Sequence, residues 1–174
     1  MATREERIQR VKRKALENDM NYSGCSQSVL GALQEEFGIG SPESFRAAAM
    51  LSGGIARQGE TCGAIIGALS ALGLLIGRQK IEDSEAYRNG MPPAIRVRAR
   101  FMAELQKQFG LKKEVTSTLC PHIQEMIFGR PFDFNKQADY AAFQAAGGHT
   151  ESGCPKVCAV AAQVAAEKIL GLQS

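Results

Sequence analysis

Apolar positions recur along this chain at the three- and four-residue spacing of helices buried on one side. Ile8, Val11 and Ala15 stand among charged residues, which predicts an amphipathic helix over about 3–18, within an N-terminal segment 1–20. Asn21-Tyr22-Ser23-Gly24 reads as a turn. Val29, Leu30 and Leu33 then predict a second helix from near Ser23 to Phe37, ended by Gly38 and Gly40. Ser41-Pro42 supplies a cap and a first-turn proline for a helix reaching about Leu51. The most apolar stretch, Cys62 to Gly77, follows the loop marked by Gly53-Gly54 and Gly59. Pro92-Pro93 are expected to precede a helix over about 94–109, with Phe101, Met102, Leu105 and Phe109 on one face. Further helices are predicted over about 119–128, 138–145 and 155–170. No segment alternates as a strand does. The fold expected is all-α, a single-domain multi-helix bundle over residues 1–174 with cysteines near helix N-termini.

Composition narrows the picture. A chain of 174 residues with 44% apolar and 22% charged residues buries a core without staples. Gly and Ala are abundant and Trp is absent, so close helix contacts between small residues are expected. The apolar run Ala64–Ile76 is too short and too rich in glycine to span a bilayer, so no membrane partner is expected. Residues 1–20 lack the apolar core of a secretory signal, and a cytoplasmic setting is expected. There thiols are normally reduced, metal-bound or catalytic. Five cysteines, an odd number, also fit a disulfide framework poorly.

Those five are Cys25, Cys62, Cys120, Cys154 and Cys158, and no pair has the CxxC spacing. Their positions relative to the predicted helices carry more information. Cys25 follows the candidate cap Ser23, and Cys62 follows Thr61 at the start of the apolar helix. Cys120 follows Ser117-Thr118 and precedes Pro121, and Cys154 directly precedes Pro155. Four thiols therefore fall in a first helical turn, where unpaired backbone N–H groups and the positive dipole end favour thiolate over thiol. Thiolates are redox nucleophiles and soft-metal ligands. Cys158 lies one turn inward of Cys154 on the same face. The competing reading treats each cysteine as a small buried hydrophobe.

The stretch Asn21-Tyr22-Ser23-Gly24-Cys25-Ser26-Gln27-Ser28-Val29-Leu30, followed by Gly53-Gly54 and Cys62-Gly63-Ala64-Ile65-Ile66-Gly67, resembles the C_GCAxxG_C_C family of redox-active proteins. Phe109-Gly110 ahead of Cys120, and Cys154-Pro155-Lys156-Val157 opening the last helix, extend the resemblance over about 21–170. It implies a redox role for Cys25, Cys62, Cys120 and Cys154. It also makes an iron–sulfur cluster the implied cofactor, since related domains occur fused to electron-transfer modules. Cys158 is extra to the four, and Ala56 stands where glycine is expected. Gly63 and Gly67 share one helix face, which predicts close approach of another backbone and, with it, of another thiol toward Cys62.

Other features are weighed against bland readings. His122 and His149 lie near Cys120 and Cys154 and are candidate ligands or bases, though loop histidines are the commoner case. The loop 53–59 with Arg57 lacks a P-loop ending. Basic residues near Arg4–Lys14 and Arg96–Arg100 lack interleaved aromatics, so a solvated face is expected and no nucleic acid partner. The expectation is a redox-active protein with an unknown redox partner. It either holds an iron–sulfur cluster for electron transfer or cycles thiol and disulfide as an oxidoreductase. The alternatives are a structural zinc site, since four thiolates also suit zinc, or a helical interaction module. The glycine-lined helix is expected to pack either within the chain or against a second copy, and a symmetric homodimer is the expected assembly because it is the commonest.

Overall fold

The structure, a computed structural model, describes residues 2–173. Eight helices follow in order: α1 (Arg4–Tyr22), α2 (Cys25–Phe37), α3 (Pro42–Ala47), α4 (Gly63–Ile76), α5 (Ser84–Gln108), α6 (Cys120–Phe128), α7 (Gln137–Ala145) and α8 (Cys154–Leu170). A 3₁₀ turn, Ala49–Leu51, follows α3. Among the described residues there is no strand, only an isolated antiparallel bridge between Thr61 and Leu119. The all-α expectation holds.

α8 is the axis. Its Ala- and Val-rich sequence is buried over most of its surface from Pro155 to Leu170, leaving Lys156, Gln163, Glu167 and Lys168 as its partly exposed polar positions. α1, α2, α4 and α5 pack around it. α1 opens with a capping box: the Thr3 hydroxyl accepts from the Glu6 N–H, and Glu6 accepts from the Thr3 N–H at 2.7 Å. Its buried face carries Ile8, Val11, Ala15 and Asp19, one turn apart each. The basic side of α1 is met by α2, where Glu36 pairs with Arg7 and Arg10 and Glu35 pairs with Lys14.

The glycine face of α4 is used inside the chain. A Cβ on Gly67 would overlap the Ser26 carbonyl oxygen, so α2 and α4 touch backbone to backbone. Of the two packings expected for that face, within the chain or against a second copy, the first is found. Beyond Leu72 the helix emerges, with Leu74 and Leu75 exposed. Among the described residues no helix is long and apolar enough to cross a membrane.

Some boundaries depart from expectation: α1 runs on through Asn21 and Tyr22, and α3 ends at Ala47, with only the 3₁₀ turn reaching Leu51. Pro92 and Pro93 lie inside α5 rather than before it, and the helix begins at Ser84. The Asp83 carboxylate caps it by accepting from the Ala86 N–H at 2.9 Å, and Arg78 covers the Tyr87 ring at 4.7 Å. The prolines leave the carbonyls of Arg88 and Asn89 without helical donors. Both residues are exposed, so their carbonyls are open to hydration in place of the missing bonds.

Candidate functional site

Four cysteines begin or cap four helices. Cys25, Cys120 and Cys154 are the first residues of α2, α6 and α8, and Cys62 is the N-cap of α4. The local sequences explain the starts. Pro121 and Pro155 occupy early positions where no N–H is needed. Gly24, at φ +88°, lets the chain leave α1 and turn at once into α2.

Three contacts bring these starts together. Before α4 and α6 the chain pairs antiparallel: the Cys62 N–H donates to the Thr118 carbonyl at 2.8 Å, and the Cys120 N–H to the Glu60 carbonyl at 2.9 Å. Cys62 and Cys120 are thus diagonal neighbours across one bridge. Gly63 lies directly against α2, where a Cβ would stand 2.5 Å from the Cys25 sulfur. The Cys158 thiol donates to the Cys25 carbonyl at 3.9 Å, joining α8 to the same point.

The result is a cavity of about 570 Å³ lined by all five cysteines. Its outer wall is aromatic, formed by Phe134, Tyr140 and Phe143, and Tyr22, Met50 and Arg57 stand at its mouth. Cys62, Cys120 and Cys158 are buried, while Cys25 and Cys154 are partly exposed to this space. Among the described residues no three His, Cys, Asp or Glu side chains converge closely enough to hold a single metal ion.

The expected thiolate character is not found. Burial pushes the Cys25 thiol up, and the Asp19 carboxylate adds to it. The Cys62 thiol is raised well above its usual value by burial and then by Cys25 and Cys120. Burial, with Cys25 adding, raises Cys120 to about 12. Cys154 and Cys158 are raised well above the usual value by burial, then by Asp19 and the other thiols. Loss of water outweighs the helix ends. The helix-end donors are nonetheless present. The Gly53 N–H, the Ser52 hydroxyl and the Ser26 N–H face the Cys25 sulfur and favour its ionised form. The Ala64 and Ile65 N–H groups do so at Cys62, without closing a capping bond of ordinary geometry.

Sequence reasoning missed several of the cavity's polar groups. Buried Gln124 donates from Nε2 to the Cys120 sulfur at 3.4 Å, and its Oε1 accepts from the Phe132 N–H at 2.8 Å, which fixes the amide's orientation. Asp19, 2% exposed at its side chain, points its Oδ2 to within 3.7 Å of Nδ1 of His149. Ser23 Oγ lies 3.4 Å from Nε2 of the same ring. Asp19 continues the Ile8, Val11, Ala15 spacing, and Gln124 lies one turn after Cys120; those were the available signals. Of the two histidines, His149 lines the cavity, while exposed His122 bonds to Ser117.

The loop 53–57 also shapes this wall. Gly53, Gly54, Ile55, Ala56 and Arg57 all have positive φ, a short left-handed turn. It directs the Gly53 N–H at Cys25 and sets Arg57 over the Tyr140 ring at 5.8 Å. Ala56, at φ +50°, occupies a conformation that suits glycine, which is why glycine is expected there. Bonds from the Ala56 N–H to the Met50 carbonyl and from Asn135 Nδ2 to the Arg57 carbonyl hold it.

No curated protein and no solved structure matches the chain at a significant level. The family described as "Putative redox-active protein (C_GCAxxG_C_C)" matches residues 23–168, a span that contains all five cysteines and both α2–α4 contact glycines. The protein belongs to the C_GCAxxG_C_C redox-active family.

Proposed function

We propose that the protein is an electron carrier whose Cys25, Cys62, Cys120 and Cys154 hold an iron–sulfur cluster in the shared cavity. One observation carries this reading: four thiols, each at a different helix start, surround one volume of about 570 Å³.

The donor chemistry fits. Five neutral thiols hinder one another's ionisation, so the set is poor in nucleophiles by itself. Positive charge within the cavity reverses that, because a thiol that coordinates a metal is deprotonated outright. The Gln124 amide and the N–H groups of Gly53, Ser26, Ala64 and Ile65 already face the sulfurs. Such donors stabilise thiolate ligands and raise a cluster's potential. Four cysteines lining one cavity match the ligand count of a two-iron or four-iron group, and of a closed zinc site as well. When bound, the iron–sulfur group would accept and release single electrons. The protein's part is to supply thiolates, orient N–H donors and exclude water with Phe134, Tyr140 and Phe143.

A second reading rests on the Cys62–Cys120 bridge geometry. These two thiols would form a disulfide, giving up two protons and two electrons to a disulfide-bearing partner, which is reduced to its dithiol.

Anaerobic purification with iron and sulfide analysis separates the readings. The cluster reading expects brown protein with matching iron and sulfide, bleached by dithionite, and loss of colour on Cys62→Ser or Cys120→Ser. Colourless protein with one zinc per chain rejects it in favour of a structural site. Colourless, metal-free protein that gains one Cys62–Cys120 disulfide supports the second reading.

A further inference from the structure

α5 buries one side, with Pro93, Val97 and Phe101, and leaves an apolar row on another. Tyr87, Met91 and Ile95 are spaced four apart, so they form one stripe along the helix, and all three are exposed, Ile95 by 66%. Ile81, 70% exposed, joins the stripe at its start. Arg78 fixes it there by donating to the Ile81 carbonyl at 2.9 Å while covering the Tyr87 ring. A continuous apolar row of this kind marks a contact surface, where scattered exposed side chains would not.

Charge says what covers it. Glu82, Asp83 and Glu85 precede the stripe's middle, and Arg96, Arg98 and Arg100 follow it, with Arg88 as the cation in the first half. Among the described residues Glu82, Glu85, Arg96 and Arg98 take part in no ion pair. The apolar and charged patterns share one centre. Tyr87 and Ile95 each lie four residues from Met91, and Glu82 and Arg100 each nine. A helix with an acidic half and a basic half about one apolar midpoint complements itself when turned end for end.

We propose that α5 is the face of a symmetric homodimer in which two copies cross antiparallel at Met91. Met91 then meets Met91 of the second copy at the twofold axis, and Tyr87 meets Ile95 of the second copy. Glu85 and Arg96 are eleven residues apart, about three full turns, so they share one flank of α5. The twofold keeps that flank on the same side in both copies, so Glu85 faces Arg96 of the second copy, twice per dimer. The face stands clear of the sulfurs. A Cβ on Gly90 would lie 3.6 Å from the Ile76 carbonyl oxygen, so this half of α5 rests on the last residue of α4. Cys62 caps the other end of α4, about 20 Å away at 1.5 Å per residue. A single helix stripe is small beside the about 800 Å² per partner of a standard interface, so the dimer is weak and reversible.

Sedimentation equilibrium of the full-length protein under reducing conditions tests this, whether or not the cavity is loaded. The mass should climb from 18.7 kDa toward twice that value with a midpoint within about 1–100 µM. Met91→Glu should raise the dissociation constant at least about tenfold, because like charges then meet at the axis. Glu85→Arg and Arg96→Glu should each raise it roughly threefold or more, through two lost pairs per dimer. The double variant Glu85→Arg/Arg96→Glu should return to within about twofold of wild type. All four changes are at exposed positions, and an unchanged thermal midpoint confirms that each variant folds. A dimer indifferent to Met91→Glu, or a double variant no better than its parents, overturns the proposal. A monomer at every concentration also overturns it. If that monomer pellets with phosphatidylserine vesicles, the stripe is a membrane face, and if it does not, the stripe belongs to a different protein.

Discussion

Gly63 has no side chain because Cys25 occupies the place one would take: a Cβ there would lie 2.5 Å from the Cys25 sulfur and 2.9 Å from the Leu51 carbonyl oxygen. The family's glycine-bearing motif therefore acts on the cysteine of a different helix. Replacing Gly63 with Ala is expected to destabilise the protein by about 1–3 kcal/mol through overpacking and to displace Cys25 from the cavity. Gly73→Ala, on the same helix with nothing within 4 Å, is expected to gain about 1 kcal/mol from helix propensity. Thermal unfolding of the two variants should move in opposite directions. Equal shifts would mean that the α2–α4 contact is not tight.

The raised thiols make stability depend on pH in the metal-free protein. In the unfolded chain cysteines ionise near ~8.5, while in the fold they stay protonated, Cys120 to about 12. Between those values the native state holds more protons than the unfolded one, so stability falls as pH rises. Below that window the contribution is complete. Urea unfolding of reduced, metal-free protein from pH 7 to 11 should show a midpoint that declines above about pH 9. A midpoint that is flat or climbs there would show that the thiols are not buried as described.

Much of this was legible in the sequence, and the illegible part has identifiable causes. Helix starts at Cys120 and Cys154 could be placed because proline follows each, and the Gly63/Gly67 face announced a close approach. The gathering of four sulfurs was expected from the family resemblance and, at Cys62, from the Gly63/Gly67 face; the place of Cys158 beside them was not. Charge state was misread because a helix end is visible in sequence and desolvation is not: burial comes from α8 and the aromatic wall, far off in the chain. Pro92-Pro93 misled because an exposed helix tolerates missing bonds that a buried one does not. Asp19 was passed over because an acidic residue near a helix end normally faces water.

Gln124 is expected to matter at Cys120. Gln124→Met keeps the side chain's length, leaves the Phe132 N–H without its acceptor and removes the donor to sulfur. A loss of about 1–3 kcal/mol is expected from the orphaned N–H. Alkylation of Cys120 at fixed pH should slow, since the amide favours the thiolate. Mass-resolved iodoacetamide labelling reads the effect at each cysteine, and an unchanged Cys120 rate would show that the amide does not act on the sulfur.

Ala56 holds left-handed backbone that costs a side chain about 1–2 kcal/mol. Ala56→Gly should relieve most of that, less the entropy glycine brings to the unfolded chain, for a net gain of about 1 kcal/mol. Denaturant midpoints of the two proteins decide it. A loss of stability would mean that the Gly53–Arg57 turn is not formed as described.

The account stands or falls on the sulfurs acting as one set, and native mass spectrometry of anaerobically purified protein tests that most directly. The predicted spectrum carries the added mass of one iron–sulfur cluster per chain, and that mass disappears in Cys25→Ser, Cys62→Ser, Cys120→Ser and Cys154→Ser alike. A chain of unmodified mass, with all five thiols free and no variant differing from wild type, would contradict it.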